Sequence, residues 1–358
     1  MSETPILDLD AAPPRLARPW FAWLLGGAIG GLLVFDQPVK VDLAWWFPLL
    51  YLSIAIHEIG HLIAGRLVGM ESGGLVVGGL MILKSGTRWV VRFDWRRILS
   101  GGLAKPLPRK GGFDSTRHVW MIAGGPIATV LLVGVGLFFH WNGLWVLNAL
   151  LLVSCILPSG GLNKSDGARI WLLLCNPVES RSFQAILRLQ TQETEGVLPG
   201  AWDSELVDEM LRGTPASGDN AYRQLLAFYR CIHQGNPDLA LRHIENALAS
   251  SGRCMQACRQ WCFLEAACCQ AILRGDAAKA RTWMQRAFAV RKPESKASVE
   301  AAIAMAEGRY QEAIALWDES LAYLARRKYD SGLIRFTKMK IAEYQEQCRV
   351  RLANSAVA

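Results

Sequence analysis

Charge is missing from long stretches of the first half of this 358-residue chain, and histidine is scarce throughout, six residues in all. Pro19 to Phe35, Val119 to Phe139 and Trp141 to Asn163 contain no Asp, Glu, Lys or Arg, and Leu43 to Gly65 contains only Glu58. A water-facing surface cannot be built from such runs, whereas a bilayer core demands about 20 apolar residues per helical span. No small-residue cleavage site follows the first run before Asp36 and Lys40, which argues against a signal peptide and for an uncleaved anchor. No CxxC pair and no nearby histidine accompany Cys254, Cys258, Cys262 and Cys269, which argues against a zinc site there. Nine cysteines, an odd number without a loop-rich framework, read as reduced thiols rather than a disulfide scaffold. No basic patch interleaved with aromatics is present, so the net charge of +8 points to a membrane surface and not to nucleic acid.

What is present divides the chain. Apolar residues make up 51% and mean hydropathy is +0.18, but the excess ends near Pro177, after which the sequence becomes charged. The expected organisation is a tail over residues 1–18, a transmembrane domain over 19–177, a linker with helical segments over 178–218 and a soluble helical domain over 219–358. Arg15 and Arg18 precede the first run. Ten further Lys and Arg residues, from Arg66 to Arg117, follow the second, and the turn at Trp141 to Gly143 has none. Because positive loops are retained in the cytoplasm, both termini are expected there.

The only ionisable cluster within a span is His57-Glu58-Ile59-Gly60-His61. Residues four apart share a helix face, so both imidazoles can meet one metal ion, and Glu58 on the adjoining face can take a proton from water acidified by that ion and return it to a leaving amine. This is the metalloprotease reading of H-E-x-x-H. Three ionisable side chains after Leu49-Leu50-Tyr51-Leu52-Ser53-Ile54-Ala55-Ile56 are expensive in lipid unless they serve an ion or a cavity. Catalytic zinc normally takes three protein ligands. Asp166, after the fourth run, is one source for the third, although a carboxylate there also suits a helix N-cap; Asp114 and His118 compete for the role.

Three features in order resemble the site-2 protease family of intramembrane metalloproteases: His57-Glu58-Ile59-Gly60-His61, then Ala123-Gly124-Gly125-Pro126, then Asp166-Gly167-Ala168-Arg169. The resemblance covers roughly the first half of the chain and implies zinc held by His57, His61 and Asp166, with cleavage of membrane-spanning substrates in or near the bilayer. Two departures stand out. Cys155-Ile156-Leu157-Pro158 occupies the place of the family's Asn-x-x-Pro, and Ser165 stands where leucine is common; Asn148 and Asn163 are alternatives for the missing amide.

Gly73 to Leu83 and Thr87 to Trp95 read as extended, with Lys84-Ser85-Gly86 as a turn. In the family a hairpin here dips into the membrane and can offer an edge to substrate; an amphipathic surface ribbon would read the same way. Beyond Pro177 three glycines repeat a pattern. Gly235 is followed by Ala240 and Ala247-Leu248, Gly275 by Ala280 and Ala287-Phe288, and Gly308 by Ala313 and Ser320-Leu321. Small residues five and twelve positions after a helix-ending glycine resemble tetratricopeptide repeats. Such a domain can recruit a protein partner or simply cap and dimerise the chain. Cys254, Cys258, Cys262 and Cys269 share one stripe and read as small apolar residues at helix contacts.

The expected fold is therefore an all-α polytopic membrane domain of about four spans with a short membrane-associated β-hairpin, followed by a TPR-like domain. The expected activity is that of an intramembrane zinc endopeptidase of the prokaryotic inner membrane, acting on single-span membrane proteins in contact with lipid. A non-proteolytic scaffold retaining structural zinc is the alternative, and a transporter would need polar pairs on several spans.

Overall fold

A computed structural model describes residues 43–85, 88–95, 98, 101–108, 114–157, 165–290, 296–326 and 330–357. The expected first span and tail, as well as Asn163, lie outside them. The protein is mostly helical with one small antiparallel sheet. Contacts partition it into two units, divided between Thr191 and Gln192.

In the first unit the apolar run after Asp42 forms α1 (Leu43–Leu67), which closes on Gly69 at φ 88°, a left-handed value that glycine adopts without strain. Helix α2 (Ser115–Phe138) starts at Asp114, whose carboxylate accepts from the Arg117 N–H at 2.8 Å. Phe47–Leu67 and Ser115–Phe138 are long and apolar enough to cross a membrane. The fourth expected span is shorter than its charge-free run, because α3 (Asn142–Ile156) has 15 residues. Leu157, which precedes Pro158, has already left helical geometry at ψ 124°, as the residue before proline tends to.

The expected hairpin of Gly73–Leu83 and Thr87–Trp95 is corrected to three strands of a larger sheet, because its first arm folds back on itself at Gly78-Gly79. Strands β1 (Met70–Val77), β2 (Leu80–Ser85), β3 (Arg88–Phe93) and β4 (Gly102–Pro108) lie in the order β3-β2-β1-β4, all antiparallel. Val77 pairs with Leu80 across a two-residue Gly78-Gly79 turn, with Gly78 at φ 55°. Strand β4 has little strand signal because Pro106 and Pro108 cannot donate to a ladder. It tolerates them because it is an edge, paired on one side to β1. Met70 at the start of β1 packs with Met121 and Ile122 of α2 and with Leu173 of α4 (Asp166–Cys175).

The second unit consists of paired helices. After α5 (Pro177–Thr194), which crosses the division, and α6 (Ser204–Leu211) come α7 (Asn220–His233), α8 (Pro237–Ser250), α9 (Gln256–Arg274), α10 (Ala277–Val290), α11 (Ala297–Ala306), α12 (Tyr310–Arg326) and α13 (Gly332–Val357). Gly235, Gly275 and Gly308 are left-handed at φ 72°, 65° and 76°, and the next residue's N–H bonds back to Cys231, Gln270 and Ala304. The three helix hairpins so formed bury small residues at matching positions. Ala240, Ala247, Ala280, Ala287 and Ala313 are 0% exposed, and Ser320 is 2% exposed, which lets each second helix lie close against its neighbours. All nine cysteines are free thiols, and Cys231, Cys254, Cys258, Cys262 and Cys269 belong to this core.

Candidate metal centre

The site is built on the crossing of α1 and α2. A Cβ at Gly60 would strike the Gly124 carbonyl, and one at Gly124 would strike the Gly60 carbonyl, so both backbones approach as only glycine allows. Ala64 and Ala128, one turn further along each helix, flank the contact, giving a small-xxx-small pattern on both partners. Gly125 is held against the imidazoles themselves, since a Cβ there would meet Nε2 of His61 and of His57.

His57 and His61 are buried on one face of α1, with ring centroids 4.8 Å apart and the planes nearly perpendicular. Each is oriented through its Nδ1 atom. Thr129 donates its hydroxyl proton to the Gly125 carbonyl at 3.1 Å and so accepts from His57 Nδ1 at 2.8 Å. His61 Nδ1 lies 3.1 Å from the Met121 carbonyl and 3.3 Å from the Gly125 N–H. A carbonyl can only accept, and that contact is the shorter, so Nδ1 carries the proton here too. Both Nε2 atoms are thereby left with lone pairs, the tautomer a metal ligand needs.

Asp166 begins α4, 109 residues from His57 in the chain. It is not the N-cap. Ser165 takes that role, accepting from the Ala168 N–H at 3.2 Å and donating to the Leu157 carbonyl at 2.6 Å. Gly167 packs against the Ile156 carbonyl where a Cβ would not fit, so the start of α4 closes onto the end of α3. Asp166 Oδ2 then lies 3.1 Å from His57 Nε2 and 3.5 Å from His61 Nε2. The competing donors are elsewhere: Asp114 caps α2, and His118 stacks on Phe183 at 5.2 Å.

Cys155, on the last turn of α3, brings Sγ to 3.8 Å from His57 Nε2. His57, Cys155 and Asp166 each offer one ligand atom, all within 4.8 Å of one another, a group that can hold a metal ion. The donor spacing fits a small tetrahedral ion. With nitrogen and oxygen donors about 2.0–2.1 Å from the metal, neighbouring donors lie about 3.3–3.4 Å apart. The two histidine–aspartate separations fall on either side of that value.

Glu58 is buried beside this group and faces β4. The Ala104 N–H donates to its carboxylate, and the chain at Gly102 passes so close that a Cβ would overlap it. Asn148 is fully buried but turned to another task, donating to Ser53 Oγ at 3.0 Å and tying α3 to α1 one turn before His57.

Sequence reasoning missed Thr129, the Met121 carbonyl and the β4 backbone. Thr129 had a signal in hindsight, standing one helical turn after Gly125, but main-chain donors have none. Comparison with protein-family models, curated proteins and solved structures gives no match to this chain.

Proposed function

We propose that the protein is an intramembrane zinc endopeptidase of the site-2 protease type that hydrolyses peptide bonds of single-span membrane proteins. One observation carries the reading. Two imidazole Nε2 atoms on α1, a helix apolar enough to cross a membrane, lie 3.1 and 3.5 Å from one carboxylate oxygen of Asp166 on α4, beside a buried glutamate.

A bound zinc ion supplies Lewis acidity, polarising water and the scissile carbonyl. His57, His61 and Asp166 would hold it, and Thr129 and the Met121 carbonyl hold the two rings with Nε2 presented. Glu58 accepts a proton from the attacking water and delivers it to the leaving amine, its carboxylate kept in position by the Ala104 N–H. Edge strand β4 lies against Glu58, so a substrate unwound and added along that edge would pass its carbonyls close to the carboxylate. In this reading the first half is polytopic in a prokaryotic inner membrane with both termini cytoplasmic. The helix hairpins of the second unit are TPR-like and recruit a protein partner.

Co-expression with candidate single-span membrane proteins tests the reading. Cleavage by the native chain is expected to disappear in Glu58→Gln and in Asp166→Ala. Cleavage that survives Glu58→Gln would sink the mechanism, and full metal content in Asp166→Ala would remove Asp166 from the ligand set.

A further inference from the structure

We propose that Cys155 is a fourth protein ligand of the metal, so that the resting site is closed and catalytically latent. The inference rests on the metal-site reading above and adds to it a resident that a hydrolytic site does not need.

Three observations carry it. Sulfur ligates zinc at about 2.3 Å, which in a tetrahedral shell puts it about 3.6 Å from a nitrogen ligand; Cys155 Sγ is 3.8 Å from His57 Nε2. Its ligand atom also belongs to the 4.8 Å group with His57 and Asp166, a group that does not include His61, so it faces the His57–Asp166 side of the site. The third observation is positional. The packing of Gly167 on the Ile156 carbonyl joins the end of α3 to the start of α4, so Cys155 and Asp166 are delivered to the site by one junction. Two histidines, one aspartate and one cysteine would fill a tetrahedral shell once His61, 3.5 Å from Asp166 Oδ2, joins that group. Structural zinc sites are closed in this way, whereas catalytic ones keep a position open.

A closed shell and the neighbouring Glu58 are reconciled if the sulfur leaves on demand. The metal–sulfur bond would break as the oxygen of an incoming water takes its position, and the proton that this water gives up would pass to the released thiolate. No oxidant is required. Cys155 stands on the last turn of its helix, next to Ile156 and Leu157, which are 50% and 55% exposed. A substrate helix pressing on that apolar end could move the thiol without disturbing the ligands on α1.

The test uses the full chain in detergent, loaded with Zn2+ alone, and reads X-ray absorption at the zinc edge beside metal content. One sulfur neighbour at about 2.3 Å is expected in the native protein. It should vanish in Cys155→Ala while stoichiometric zinc remains, and persist when Cys254, Cys258 and Cys262 are all changed to alanine. With Co2+ in place of zinc, the sulfur-to-metal absorption band should follow the same pattern. Bound zinc with nitrogen and oxygen neighbours only, or a sulfur shell that survives Cys155→Ala, overturns this inference and leaves the peptidase reading standing. A native chain that binds no metal overturns both. Metal-loaded Cys155→Ala is also expected to cleave substrate several-fold faster, and a slower enzyme would overturn the latency.

Discussion

The two units differ in what their helices expose. In the first, the buried side chains include Ser53, His57, Glu58, His61, Thr129 and Asn148, while Leu52, Ile63, Leu67, Val130, Leu131 and Phe138 are exposed on the same helices. In the second, alanine, cysteine and large apolar side chains fill the core, and the surface carries ion pairs such as Arg281–Glu307 at 2.6 Å and Lys296–Glu300 at 2.7 Å. The same forces give both arrangements. In the proposed membrane setting, apolar burial would not drive helices together, and close glycine contacts and buried polar groups would hold the crossing. Where the surroundings are water, apolar burial dominates and most charge stays outside, although Arg223 and Arg259 are buried.

The comparison can be broken at its centre first. Glu58→Gln is expected to reduce hydrolysis by about 10²–10⁴-fold, the usual contribution of a general base, while metal content stays unchanged; His57→Ala should lose the metal itself. Elemental analysis beside a cleavage assay separates the two. Next in size is the outer surface. Leu131→Lys on α2 should cost about 2.5–3.5 kcal/mol of insertion free energy if that face meets lipid. Met339→Lys, on an exposed position of α13, should alter stability by no more than about 0.5 kcal/mol. A glycosylation-mapped insertion assay and thermal unfolding give the two values, and equal tolerance at both positions would contradict that difference.

Smaller effects sharpen the same contrast. Thr129→Val removes the acceptor that orients His57, and metal affinity is expected to weaken about 10–100-fold by competition with a chromophoric chelator. Ala280→Leu forces a larger side chain into a fully buried helix contact and should destabilise the second unit by about 1–3 kcal/mol, with metal content untouched. Arg281→Ala deletes a surface pair, and a loss of about 1 kcal/mol or less is expected in chemical denaturation.

Much of this was legible from local pattern, and the departures have local causes. The helical hairpins announce themselves because Gly235, Gly275 and Gly308 need the left-handed region and the alanines after them recur at fixed distance. Strand β4 was hidden by Pro106 and Pro108, which suppress strand propensity without preventing an edge position. The fourth apolar run exceeds its helix because hydropathy continues through Leu157 and Pro158, whereas backbone sterics stop α3 at Ile156.

The sequence by itself determined that His57 and His61 share a helix face, that Glu58 stands beside them, and that the surrounding runs are too apolar for a water-facing surface. Those facts follow from helical periodicity and composition, which are properties of neighbours along the chain. Only the tertiary structure decided that Asp166 reaches those histidines from 109 residues away, that Ser165 rather than Asp166 caps α4, and that Cys155 arrives at the same point. The reason is geometric. Convergence depends on how closely Gly60 and Gly124 let two helices cross and on how Gly167 seats α4 against α3, and no one-dimensional pattern carries those distances.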